Sequence, residues 1–186
     1  MKAATNKLAY VGSKPGQATE SARDSDRWFT PLEYIQMAMA VMGTIDLDPY
    51  SCDSANTKIG AKKYFDLNRD ALEHSWFEEP GTVFMNPPYG RGLIESAADR
   101  FLKHWHGGQI SQGIVLVNNA TETKWFQSLL GSSTALCLPN RRIAFINDDG
   151  KNISSNTRGQ AFFYFGARDG EFKRVFGTIG AVLCVL

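Results

Sequence analysis

The residues best equipped for chemistry stand together in the stretch Val83-Phe84-Met85-Asn86-Pro87-Pro88-Tyr89-Gly90. The apolar run reads as a buried strand, and Pro87 and Pro88 stop it, because proline cannot donate to a sheet ladder. At the carboxyl end of such a strand Asn86 offers a carbonyl acceptor and an NH2 donor. The Pro87 carbonyl is a second fixed acceptor, and Tyr89 contributes a flat face. This set suits a planar heterocycle bearing an exocyclic amine. Two acceptors hold the amine N–H bonds while the aromatic face stacks on the ring, which is how a base taken out of a duplex is gripped. The plainer alternative is a proline turn closing a strand, with Asn86 bonded to its own backbone and Tyr89 packed as core.

Other chemically capable groups lie at the ends of predicted elements. Thr44 to Tyr50 reads as a short strand that carries Asp46, Asp48 and Pro49 towards its carboxyl end, where ligands gather in open α/β sheets. Asp70 precedes Ala71-Leu72 and Trp76, and is either an acceptor for amine or hydroxyl groups or a helix N-cap. Arg91 follows the central motif, Arg141 and Arg142 stand where a strand begins, and Arg158 lies in a polar loop over 147–160. Each could meet a phosphate. Ordinary exposed arginines, or a hairpin anchored through carboxylates, are the competing readings. His104 and His106 have no third ligand nearby, which fits a helix end better than a metal site.

These groups need strands and helices in alternation to bring them together. Thr30-Pro31-Leu32-Glu33 has the signature of a helix start, with Thr30 as N-cap and Glu33 closing a capping box; Leu32, Ile35, Met39 and Met42 form the stripe and Gly43 the stop. Lys63 to Phe65 is a possible strand in an otherwise loop-rich stretch from Ser54 to Glu79. A helix follows Gly92, with Ile94, Ala97, Ala98, Phe101, Leu102 and Trp105 at helical spacing. Ile114 to Val117 is a continuous buried strand, and Thr121 caps a helix through Leu130 that Gly131 closes. Ala135 to Leu138, Ala161 to Phe165 and Ala181 to Leu186 are further strands. The pattern predicts a three-layer α/β sandwich, mostly parallel with antiparallel strands near the C-terminal edge. Residues 1–25 lack apolar periodicity and read as a mobile arm, leaving 26–186 as one domain.

Asn-Pro-Pro-Tyr after a hydrophobic strand resembles the catalytic motif of amino-group DNA methyltransferases. The wider text is similar to that of small phage-type DNA N6-adenine methyltransferases: Trp28-Phe29-Thr30-Pro31, Leu47-Asp48-Pro49, Asp70-Ala71-Leu72 with Trp76, then Thr123-Lys124-Trp125-Phe126 and Arg142-Ile143-Ala144-Phe145. These blocks run in the family's order from about residue 27 to about residue 166. The resemblance implies a Rossmann-like fold and S-adenosylmethionine as cofactor. It implies catalytic roles for Asn86, Pro87, Pro88 and Tyr89, and cofactor contacts for Thr30, Pro31, Asp46 or Asp48, Pro49 and Asp70. The glycine-rich continuation of the broader superfamily's cofactor motif is missing, and Tyr50-Ser51-Cys52-Asp53 stands in its place. Methyltransferases of cytosine N4, RNA adenine or protein glutamine use a similar pocket, and a non-catalytic nucleic-acid-binding module is the reading from another class.

Composition narrows the partners. A formal net charge of +1 is too small for a protein that holds nucleic acid by overall charge, so a double-stranded DNA substrate requires basic residues gathered locally. Cys52, Cys137 and Cys184 are odd in number and widely spaced, which points to free thiols in a reducing compartment; Cys137 and Cys184 read as small buried hydrophobes. No metal is expected. The polar amino terminus and the lack of an apolar run near ~20 residues point away from a leader or a membrane span. The expected location is cytoplasmic, that of the bacterial host if the chain is phage-encoded.

Overall fold

The computed structural model describes residues 29–66, 70–89, 92–146 and 157–185. The arm at 1–25, Arg91, and most of the polar loop at 147–160 lie outside them. The elements are α1 (Leu32–Met42), β1 (Leu47–Asp48), α2 (Asp53–Ile59), β2 (Lys63–Tyr64), β3 (Gly81–Met85) and α3 (Leu93–His106), then β4 (Ile110–Asn118), α4 (Lys124–Ser132), β5 (Ala135–Pro139), β6 (Gln160–Phe165), α5 (Asp169–Phe176) and β7 (Gly180–Cys184). The strands form one seven-stranded sheet in the order β2-β1-β3-β4-β6-β5-β7. Strands β1 to β4 are parallel; β6 is antiparallel to both β4 and β5, and β7 is antiparallel to β5. Among the described residues five strands therefore share one direction and β6 and β7 oppose it, as the alternation of elements predicts.

The pleat sorts the core into two. Val83, Met85, Val115, Val117, Phe163 and Phe165 face α3 and α4, while Phe84, Ile114, Leu116, Phe162 and Tyr164 face α1, α2 and α5. Because both faces of β3, β4 and β6 are covered, these strands read as unbroken apolar runs instead of alternating ones. Gly113 lets β4 pass close beneath α3: a Cβ there would lie 2.6 Å from the Phe101 ring.

Several local expectations change. Leu32 opens α1 with Pro31 as N-cap, and no side chain caps it, so Thr30 is not the cap and the capping box does not form. Leu32 and Met39 are exposed, and Tyr34, Ala38 and Val41 join Ile35 and Met42 in the buried face. In α4 the cap is Thr123, not Thr121, with its hydroxyl accepting from the Phe126 N–H, and Gly131 lies inside the helix. The loop-rich reading misses α2, whose buried residues are only Ala55 and Ile59, one i,i+4 pair in a polar segment. Helix α5, between the last two expected strands where no element is expected, is held by Phe172, Val175 and Phe176. Cys137 is buried, but Cys184 is exposed because β7 is an edge strand. His104, in the last turn of α3, is buried against Trp76 with ring centroids 4.4 Å apart, and its Nδ1 lies 2.5 Å from Gln109 Oε1.

Candidate active site

The cavity of about 440 Å³ opens at the carboxyl ends of β1, β3 and β4, where Asp48, Asn86 and Asn118 stand side by side. Parallel strands direct their free carboxyl ends, and the loops that follow them, to one edge of the sheet. Antiparallel β6 arrives from the other direction, so Thr157 and Arg158 before it reach the same edge. Phe29 and Phe145 complete one wall. Their segments are tied by reciprocal backbone bonds between Phe29 and Ile146, at 2.8 and 3.0 Å.

Both ends of the central motif are fixed from outside it. Asn86 Nδ2 donates to the Thr30 hydroxyl at 3.2 Å, and Thr30 is itself buried. With the nitrogen engaged there, the Asn86 carbonyl oxygen is the end presented as an acceptor. Freed from capping, Thr30 is an orienting group. At the other end the Asn118 N–H donates to the Tyr89 hydroxyl, while 37% of the Tyr89 surface stays accessible. Burial of that hydroxyl pushes the phenol well above its ordinary pKa, so it serves as a neutral acceptor. Pro87 and Pro88 are buried between the two and line the cavity.

The acidic candidates separate. Asp48 forms part of the wall yet is only 2% exposed, and its carboxyl accepts the Tyr50 N–H at 3.1 Å. Burial raises its pKa to about 7, against the lowering effect of that bond. Asp46 is not among the cavity residues. It pairs with Lys62 at 2.7 Å and accepts from the Thr82 N–H and hydroxyl at 2.9 and 3.0 Å, tying the approach to β1 to β3. Asp70 is also off the wall, and it is not a helix N-cap: a turn over 71–73 follows it instead of a helix, and its carboxylate accepts the Leu72 N–H at 2.8 Å within that turn. Its influence reaches the cavity through Tyr50, whose hydroxyl is raised by burial and then by the charge of Asp70. Pro31 and Pro49 do not line the cavity. Asp53 lies on the surface, bonded to the Tyr64 hydroxyl. Lys58, which the sequence reading passes over, stands at the cavity with its Nζ 5.6 Å from the Phe29 ring centroid; its missed signal is the missed helix α2.

A family model for Dam, DNA N-6-adenine-methyltransferase, matches residues 17–179. The chain belongs to the Dam family. Membership indicates transfer of a methyl group to N6 of adenine in DNA, and makes DNA the substrate. No protein of curated function and no solved structure matches the chain.

In this Dam family member the basic candidates are dispersed. Arg158 lines the cavity near the Tyr89 phenol. Arg141 and Arg142 are exposed and off the wall, with Arg141 beside the Tyr34 hydroxyl of α1. Among the described residues no cluster of His, Cys, Asp and Glu could hold a metal ion, and no helix is long and apolar enough to cross a membrane.

Proposed function

We propose that the chain transfers a methyl group from S-adenosylmethionine to the N6 amine of an adenine turned out of double-stranded DNA, at a specific site. The observation that carries this reading is the juxtaposition, on one cavity, of the Asn86 amide oriented by Thr30 and the buried carboxyl of Asp48. The residues fit the cofactor. A carboxyl buried with a backbone donor as partner, and held near neutrality by burial, is stabilised as an anion when an ammonium group arrives. Aromatic walls from Phe29 and Tyr50 suit a purine or a sulfonium, and Lys58 stands where a carboxylate would be countered. The volume lies within the range of small-molecule sites. Bound there, the cofactor supplies an electrophilic methyl group.

The chain's own residues act on the amine. Adenine N6 is a poor nucleophile because its lone pair is delocalised into the ring. The Asn86 carbonyl oxygen and the Pro87 carbonyl accept its two N–H bonds, favouring a tetrahedral nitrogen with a directed lone pair. Tyr89 stacks on the base and offsets part of the few kcal/mol that unstacking it costs. Positioning and charge stabilisation, without a covalent enzyme intermediate, then lower the barrier; the nitrogen that takes the methyl group gives up one of its two protons to water, and S-adenosylhomocysteine is the other product. Arg158 is placed to counter a phosphate beside the turned-out base.

The fold supports this reading as a Rossmann-like methyltransferase of one domain, with ligands at the carboxyl edge. The resemblance to phage-type enzymes is the support for a phage or prophage origin and a place in the host cytoplasm. The test is transfer of radiolabelled methyl from S-adenosylmethionine to unmethylated duplex DNA, followed by nucleoside analysis. Label in N6-methyladenine is expected, and Asn86→Ala should lower turnover by ~100-fold or more while the thermal transition stays in place. Label in cytosine, or only in RNA or protein acceptors, would overturn the acceptor assignment; near-normal Asn86→Ala turnover would overturn the role of the amide.

A further inference from the structure

Gln160, the first residue of β6, is 3% exposed and does not line the cavity, yet its side chain bonds two other segments around it and the backbone of its own lead-in. Its Nε2 donates to Asn118 Oδ1 at 3.2 Å and to the Arg158 carbonyl at 2.8 Å, and its Oε1 accepts the Ile143 N–H at 3.0 Å. A buried amide with both of its ends engaged specifies one arrangement of everything it touches, because breaking any bond strands a polar group away from water.

Each bond leads to the catalytic motif by a short path. Asn118, the register partner of Gln160 across the antiparallel pair, sends its backbone N–H to the Tyr89 hydroxyl. Ile143 begins the segment that carries Phe145 into the cavity wall and ends at Ile146, whose bonds with Phe29 set the entry to Thr30. Thr30 in turn holds Asn86. The third bond fixes the backbone of Arg158, a wall residue.

We infer that Gln160 is a positioning residue for methyl transfer: one buried amide sets the Tyr89 end of the motif through Asn118 and the Asn86 end through the Ile143–Ile146 segment and Thr30. The inference rests on the methyltransferase reading above and adds to it a residue outside the cavity on which the amine-binding geometry depends. The two acceptors and the stacking face must converge on one base. A residue that joins their supports therefore governs the rate of transfer more than the affinity for cofactor: among these bonds the network meets the proposed cofactor wall at the Phe29 backbone, while the proposed carboxyl partner, Asp48, lies on β1 and has no link to Gln160.

The test uses Gln160→Leu, close in shape without hydrogen bonds, and Gln160→Glu. Both are assayed beside the wild-type chain at a temperature where circular dichroism shows each folded. For Gln160→Leu the single-turnover rate at saturating DNA and S-adenosylmethionine should fall by about 10- to 100-fold, with cofactor Kd by calorimetry within about threefold of wild type. In Gln160→Glu the carboxylate still accepts from Ile143 and can take a bond from a turned-over Asn118 amide, but it faces the Arg158 backbone carbonyl, an acceptor that cannot turn. Its rate relative to wild type should be low at about pH 8 and rise as the pH falls and the buried carboxyl regains an O–H donor. A Gln160→Leu rate within about twofold of wild type, or parallel loss of rate and cofactor affinity, would overturn the inference. If Gln160→Leu does not fold, the Gln160→Glu series decides, and a flat ratio across pH would overturn it. An inactive wild-type chain would remove the methyltransferase reading and this inference together; an active one beside an unimpaired Gln160→Leu removes the inference alone.

Discussion

Asp46 and Asp48 stand two residues apart on the approach to one sheet edge, and their surroundings move their carboxyl groups in opposite directions. At Asp46 partial burial opposes the charge, but the Lys62 side chain and the backbone and hydroxyl of Thr82 outweigh it and hold the carboxyl below its ordinary range. At Asp48 burial dominates, the Tyr50 N–H compensates only in part, and the group is raised to about 7. One carboxylate is engaged in holding two strands together. The other is left short of positive charge on a cavity wall, the condition of a group awaiting a cationic partner.

Replacing the two in turn tests that contrast. Asp48→Asn should give the largest effect: cofactor affinity falling by about 30-fold or more, because a charge partner is lost from a desolvated site. The same change should stabilise the ligand-free protein. The folded-state pKa of Asp48 lies above its unfolded value, so its burial carries no ionisation penalty while it is protonated, below about pH 4, and an increasing one as pH rises to about 7. The Asp48→Asn variant should therefore gain on the order of 1 to 4 kcal/mol over wild type at pH 8 and almost nothing at pH 4, read from denaturant melts at both values. A variant less stable than wild type at pH 8 would break the comparison. For the wild-type chain, cofactor binding by calorimetry should weaken as the pH drops below about 7 and release a proton there, since Asp48 must ionise to pair.

Asp70 should come next. Its alanine variant loses an acceptor for the Leu72 N–H, costing about 1 kcal/mol of stability, and disturbs Tyr50 enough to weaken cofactor binding by less than about tenfold. Unchanged cofactor affinity would leave Asp70 only its role in closing the turn. Asp46→Asn should have the smallest effect, confined to stability and leaving cofactor affinity within about twofold, because the Lys62 side chain is 69% exposed and the pair is screened. Its contribution has the opposite sign to that of Asp48. With a depressed folded pKa it is present above the ordinary carboxylate range and lost as the pH falls through the folded value, so the gap between variant and wild type should close in acid. A cofactor defect in Asp46→Asn as large as that of Asp48→Asn would erase the distinction.

The Asn86–Tyr89 motif, the strand before it, the long helix after it and the direction of most strands follow from the sequence alone. They depend on neighbours in the chain: an unbroken apolar run makes a strand covered on both faces, two prolines end it, and apolar residues at helical spacing make α3. Local patterns are ambiguous where a side chain has two possible partners. Thr30 has every feature of an N-cap, and only the fold brings Asn86, 56 positions away in sequence, within reach of its hydroxyl. Asp46 and Asp48 are indistinguishable as letters; the arrival of Lys62 and Thr82 at one and of the cavity at the other separates them. Lys58 and Gln160 carry no motif, being placed by a short polar helix and by an antiparallel strand inserted between β4 and β5. Spacing along a chain determines what a residue can do with its near neighbours, whereas burial and long-range hydrogen bonds determine which of those capacities is used, and these exist only once the sheet has closed its order.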